Sequence, residues 1–78
     1  MAWKTFLILH FGTNGIKPTE LADRLDKIGF NAELGAVDFI YTWGENKPTK
    51  KQVLELANKV AEVLKGSGSV FNIDTNNE

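Results

Sequence analysis

The chain repeats one short segment, and this repeat constrains the fold more than any other feature. The letters FGTNGIKPT at residues 11–19, the first repeat, return in shortened form as WGENKPT at residues 43–49, the second repeat. A stretch with helical spacing follows each repeat, and a similar β segment follows each stretch, FNAE at residues 30–33 and FNID at residues 71–74. Two strand–helix–strand halves therefore account for the whole sequence and predict an internal two-fold axis.

Length and composition indicate a small soluble globular domain. The chain has 78 residues, of which 42% are hydrophobic and 24% charged. We predict one domain over residues 1–75 and a frayed tail over residues 76–78. A core of this size supplies only a few kcal/mol of net stability, so that oligomerisation is a reasonable way to add more.

Charge and cysteine content restrict the classes of function. The net charge of -1 offers no basic excess for neutralising phosphate, so we do not expect a nucleic-acid partner. The chain has no cysteine, which fits a reducing compartment. The apolar run at residues 6–9 is shorter than a secretory signal, which needs roughly 7–15 apolar residues, or a membrane span, which needs about 20. We therefore expect a cytoplasmic protein without a membrane partner.

Six elements are predicted in the order β-α-β-β-α-β. Pro18 opens the first helix and Gly29 ends it, while Thr49 with Gln52 predicts a capping box at the start of the second. The predicted strands are residues 3–11, 30–34, 37–43 and 69–75.

A turn at residues 35–36 is predicted to join the second and third strands. It pairs Ala32 with Phe39 and Phe30 with Tyr41, and it separates apolar from mostly polar side chains on the two faces of the ribbon. A single long strand with a bulge at the glycine of this turn is the alternative.

This order of elements resembles the ferredoxin-like (split βαβ) fold over the whole chain. The resemblance implies an α+β two-layer sandwich, with a four-stranded antiparallel sheet of order 4-1-3-2 and two helices on one face. Because this fold serves many unrelated functions, it does not nominate one.

A second resemblance covers six residues. The letters GAVDFI at residues 35–40 are similar to the Gly-x-Tyr-Asp-hydrophobic stretch of the amino-acid-sensing (RAM) domains of Lrp-type regulators and of GYD-type small proteins, with Val37 in place of the aromatic residue. The similarity implies a dimer packed through its sheets, in some cases with a small ligand between the subunits. It implies no catalytic residue.

The repeat also assigns the faces of the first strand. It turns Leu7 and Leu9 toward the helices and leaves the other face of the sheet open. We expect Phe6, Ile8 and Ile40 to form an apolar patch on that open face, surrounded by polar groups and with His10 at one end. Such a patch commonly marks a contact surface, here for a homodimer packed sheet on sheet. The competing interpretation is that three apolar side chains on a sheet face are ordinary.

Few residues offer chemistry. His10 is the only histidine, and as a general acid or base it needs a partner and a cleft. We predict no catalytic residue, metal site or cofactor. The candidates for anion binding are Asn14, Gly15 and Lys17 in the first loop and Lys47 in the second, with helix capping as the competing interpretation. The two loops should lie at opposite ends of the sheet, so they would not form one composite site.

Three functions remain open from the sequence. The first is a non-enzymatic interaction or oligomerisation module that uses the open face. The second is a small-molecule-binding or catalytic dimer with a pocket between helices and sheet. The third is a stable fold without a dedicated site, including a sequence chosen by design. An RNA-binding sheet would need Phe39, Tyr41 and Trp43 on the open face, whereas the predicted pairing turns them inward.

Overall fold

The computed structural model describes residues 2–10, 12, 15–33 and 38–78, which form an α+β fold with a four-stranded antiparallel sheet and two helices. The elements in chain order are β1 (Trp3–His10), α1 (Pro18–Lys27), β2 (Asn31–Ala32), β3 (Phe39–Gly44), α2 (Lys50–Leu64) and β4 (Val70–Asn77). The sheet order is β2-β3-β1-β4, which reads 4-1-3-2 from the opposite edge. The predicted order of elements is confirmed.

Helix α1 begins and ends where the sequence predicts. Pro18 occupies its first turn, where a missing N–H and a fixed φ cost nothing. Gly29 follows the helix with φ +105°, and its N–H donates to the carbonyl oxygen of Asp26 at 3.0 Å. A residue with a side chain rarely adopts this φ, so glycine lets the chain turn sharply into β2.

Helix α2 begins with the predicted capping box. The backbone N–H of Gln52 donates to Oγ1 of Thr49 at 3.1 Å, and the N–H of Thr49 donates to Oε1 of Gln52 at 2.8 Å. Two backbone donors that a helix start otherwise leaves without partners are thereby satisfied.

One hydrophobic core lies between the helices and one face of the sheet. In β1, Leu7 is fully buried and Leu9 is 5% exposed, while the alternate residue Ile8 is 37% exposed. Both helices contribute to this core, so both cover the same face. Its buried members are Leu7, Leu9, Leu21, Leu25, Phe30, Phe39, Leu56, Val60 and Leu64.

The pairing of β2 with β3 follows the predicted hairpin. Ala32 lies opposite Phe39, as predicted, and the N–H of Glu33 donates to the carbonyl oxygen of Asp38 at 2.9 Å. The turn itself, with Gly35 in it, lies outside the described residues. A hairpin turn at residues 35–36, as opposed to a bulged strand, therefore remains a prediction.

A polar link crosses the buried face of the sheet. Nε1 of Trp43 donates to Oγ1 of Thr5 at 2.8 Å, and the hydroxyls of Thr5 and Thr75 lie 2.8 Å apart. Thr5 is fully buried. The register of β1 against β3 shifts between Trp3 and Lys4, which leaves Trp43 as the extra residue of a bulge. Three strands are thus joined by one hydroxyl group.

Residues 76–78, predicted as a frayed tail, are paired with the start of β1 in the structure. Strand β4 continues to Asn77 and pairs with β1 over its whole length. Beyond it, Glu78 and Ala2 exchange two backbone hydrogen bonds of 2.9 Å each. The first residues of β1 need backbone partners, and this requirement overrides the low β-propensity of asparagine.

Candidate interaction surface

The apolar patch of Phe6, Ile8 and Ile40 lies on the side of the sheet away from the helices. Phe6 of β1 is directly opposite Ile40 of β3, and both are half-buried. Ile8 follows on the same side of β1. Since Leu7 and Leu9 point into the core, the predicted assignment of the two faces of β1 is confirmed.

Polar side chains surround the apolar patch, and the charged ones among them are mostly acidic. By the alternation of side chains along paired strands, the open face also carries Lys4, Asn31, Glu33, Thr42, Asn72, Asp74, Asn76 and Glu78. Three of these are acidic and one is basic. Asp38 differs from the other acidic residues, because its Oδ2 accepts the N–H of Leu9 at 2.7 Å, just beyond the end of the β1–β3 ladder.

An open groove of about 440 Å³ runs along the β4 side of the apolar patch. Asn76 and Asp74 are joined along it by a hydrogen bond of 2.7 Å from Nδ2 to Oδ2. The groove combines an apolar floor with amide and carboxylate groups at one side, a composition that suits contact with another molecule. Its lining residues are Phe6, Ile8, Asn72, Ile73, Asp74, Asn76 and Glu78.

The sequence reasoning missed three residues of the open face. Val70, which lies opposite His10, is 63% exposed, and Asn76 and Glu78 line the groove. All three alternate along β4 in step with Asn72, which lies opposite Ile8 on the open face. Extending that alternation to both ends of β4 is the signal that would have found them.

His10 lies at the exposed end of β1, opposite Val70. No hydrogen bond joins its side chain to any other residue that the structure describes. The nearby carboxylate of Asp38 accepts the backbone N–H of Leu9. A small pocket of about 190 Å³ between β3 and α2 is lined by Tyr41 and lies at the other end of the sheet. Within the described part of the chain, His10 therefore has neither a cleft nor a group that orients its ring.

The candidate anion-binding residues are not brought together. Asn14 lies outside the described residues, and Gly15 and Lys17 are exposed beyond the end of β1. Lys17 is the N-cap of α1 and makes no capping hydrogen bond with its side chain. Lys47 lies at the opposite end of the sheet, where its Nζ is 5.4 Å from the centroid of the Trp3 ring. This cation–π contact already engages the lysine of the second loop.

The aromatic residues of β3 face the helices, as predicted. Phe39 is 5% exposed, and Tyr41 and Trp43 pack against the core. The ring of Tyr41 packs edge-on against Phe30, with 5.5 Å between the ring centroids, and in a tilted arrangement against Trp43, with 4.8 Å between the centroids. These three residues of β3 are not presented as a base-stacking platform on the open face.

The described part of the chain has neither a cluster of metal ligands nor a membrane-spanning helix. Within it, no three histidine or acidic residues cluster as metal ligands would, and no helix is long and apolar enough to cross a membrane. Comparison of the sequence with family models, curated proteins and solved structures finds no match. The similarity to Lrp-type and GYD-type domains therefore rests on residues 35–40 alone, of which residues 35–37 lie outside the described residues.

Proposed function

We propose that this chain is a ferredoxin-like domain that acts as a non-enzymatic interaction module. Its apolar patch associates with a second molecule of the same chain, packed sheet on sheet. The observation that carries the proposal is the patch of Phe6, Ile8 and Ile40, which is contiguous, partly exposed and surrounded by polar groups. The absence of cysteine suits a cytoplasmic location for such a module.

The association is expected to be weak. Full burial of a large apolar side chain stabilises by about 1.5–3 kcal/mol, but Phe6 and Ile40 are already half-buried in the monomer. Loss of translational and rotational freedom opposes association by at least about 4 kcal/mol. The small surplus corresponds to a Kd in the millimolar range.

The acidic surroundings of the apolar patch give the association a characteristic salt dependence. Glu33, Asp74 and Glu78 outnumber Lys4 on the open face, so two such faces repel each other at low ionic strength. Salt screens charges at exposed sites, with a Debye length of about 10 Å at 0.1 M. Association should therefore strengthen as salt is added.

The groove beside β4 supports a second candidate function, the binding of a small molecule. Its volume of about 440 Å³ falls within the range of about 300–1,000 Å³ that is common for ligand sites. In a dimer packed through the open face, the second molecule would cover the open side of this groove. Ligand binding would then depend on association.

Sedimentation equilibrium of two matched variants tests the proposed association. Ile8→Glu places a charge in the apolar patch, whereas Leu54→Glu makes the same change on α2, at a residue that is 54% exposed. Ile8→Glu should weaken dimerisation at least tenfold, which corresponds to about 1.4 kcal/mol, and Leu54→Glu should leave it unchanged. A monomeric wild-type protein at millimolar concentration, or equal behaviour of the two variants, would contradict the proposal.

A further inference from the structure

Strand β4 forms one edge of the sheet and presents a long free row of backbone groups. It spans eight residues and pairs with β1 along its whole length without a shift in register. Natural proteins usually protect such an edge with proline, lysine or a bulge. Residues 70–77 contain neither proline nor lysine, and the β1–β4 ladder has no bulge. The edge is therefore open to pairing with another strand.

The end of the ladder shows which backbone groups of β4 are free. Because Glu78 and Ala2 exchange both of their hydrogen bonds, the even-numbered residues of β4 bond to β1 in the alternating antiparallel pattern. The N–H and C=O groups of odd-numbered residues then point away from the sheet. These residues are Phe71, Ile73, Thr75 and Asn77. Among the described residues, no backbone N–H or C=O group forms a hydrogen bond with their outward-pointing N–H and C=O groups.

We propose that β4 pairs antiparallel with β4 of a second molecule of this chain, around a two-fold axis at Ile73. The pairing joins two sheets into one of eight strands. Phe71 then exchanges hydrogen bonds with Thr75 of the second molecule, Ile73 with its own equivalent, and Thr75 with Phe71, which gives about six new backbone hydrogen bonds. This interface uses the edge of the sheet and stands independently of association through the open face.

Charge selects the register of this pairing. With the axis at Ile73, each Asn72 lies opposite Asp74 of the second molecule, so that an amide faces a carboxylate. The next register, with the axis at Asp74, allows one more pair of residues to bond but sets the two Asp74 carboxylates directly opposite each other. Like charges in directly opposed positions are destabilising. The Ile73 register avoids this repulsion.

The side chains on both faces of β4 suit the same register. On the helix side, Phe71 and Ile73 are half-buried at the edge of the core, and the axis brings the two Ile73 side chains together. On the open side, Asn72 and Asp74 form the outer wall of the 440 Å³ groove. A second molecule across the edge continues this groove over the two-fold axis.

Amide hydrogen exchange followed by NMR tests the pairing directly. The amides of Phe71, Ile73 and Thr75 should become protected as protein concentration rises, while Asn77 continues to exchange rapidly. The even-numbered amides should be protected at every concentration by their bonds to β1. Rapid exchange of the three odd-numbered amides at millimolar concentration would overturn the proposal. Protection of Asn77 together with them would overturn the Ile73 register.

A pair of isosteric variants separates edge pairing from association through the open face. Asn72→Asp and Asn31→Asp each add one negative charge at an exposed residue of the open face, on β4 and on β2 respectively. Asn72→Asp creates two like-charge pairs in the edge dimer and should raise its Kd by about fivefold, whereas Asn31→Asp should change it by less than about twofold. Equal effects of the two variants would overturn edge pairing. Unchanged exchange protection in Ile8→Glu would support it even if that variant abolishes association through the open face.

Discussion

Each repeat has a glycine at its second position, and the two positions require glycine for different physical reasons. A Cβ atom at Gly12, in the first repeat, would overlap the backbone of Ser67 and Gly68, in the turn after α2. Gly44, in the second repeat, has open space where a side chain would go but a φ of +97°. The first glycine permits close packing between the halves, and the second permits a local turn. The same residue type at equivalent positions of the two repeats therefore meets two different structural requirements.

Replacing each glycine by alanine should give the largest difference between the repeats. Gly12→Ala forces two backbone segments apart, and we expect it to lower the free energy of unfolding by about 3 kcal/mol or more. Gly44→Ala only strains φ, which should cost about 1–2 kcal/mol. Urea denaturation followed by circular dichroism measures both values.

The variant Gly44→Asn serves as a control for the second glycine. Asparagine tolerates a positive φ better than alanine does, so it should recover part of the stability that Gly44→Ala loses. If Gly12→Ala proved no more destabilising than Gly44→Ala, the contrast between packing and conformation would be wrong.

The threonines of the repeats should differ by a smaller amount. Thr49 is the N-cap of α2, whereas Thr19 is exposed in the first turn of α1 and makes no capping bond. Thr49→Ala should cost about 1 kcal/mol, and Thr19→Ala less than about 0.5 kcal/mol. Thermal unfolding of the two variants under the same conditions tests this difference, and equal changes in Tm would refute it.

The smallest expected effect is a gain, from giving α1 the cap that α2 already has. Lys17 is the N-cap of α1, and Glu20 already stands three residues later. Lys17→Ser should complete a capping box and raise the free energy of unfolding by about 0.5–1 kcal/mol. A matched change at the exposed Lys27, Lys27→Ser, should give no such gain. A loss of stability in Lys17→Ser would show that α1 cannot accept this cap.

The sequence was enough to predict which side chains of each central strand point toward the helices, because the repeat shows which alternate residues of the two strands are equivalent. Leu7 and Phe39 point inward as this parity requires, and Ala32 pairs with Phe39 as the separation of apolar from polar residues requires. The capping box at Thr49 could be predicted because its hydrogen bonds are local in sequence.

Features that depend on distant backbone could not be predicted in this way. The extension of β4 to Asn77 depends on unpaired groups at the start of β1, which no local pattern around Asn77 reveals. The role of Asp38 depends on where the described β1–β3 ladder ends, because just beyond that point its carboxylate accepts the N–H of Leu9. Of the candidate site, the residues of the apolar patch were predicted, whereas Asn76 and Glu78 lie beyond the predicted end of the fourth strand.

The buried hydroxyl of Thr5 disfavours a shifted register of β1 against the neighbouring strands. Sliding β1 by two residues against its neighbours would keep every side chain on its original face, so apolar contacts alone discriminate poorly against that error. It would also remove the acceptor for the indole N–H of Trp43. A donor left without an acceptor inside a protein costs about 1–3 kcal/mol. The hydrogen bond from Trp43 to Thr5 therefore distinguishes the correct register of β1 from one shifted by two residues, which the packing of apolar side chains alone does not do.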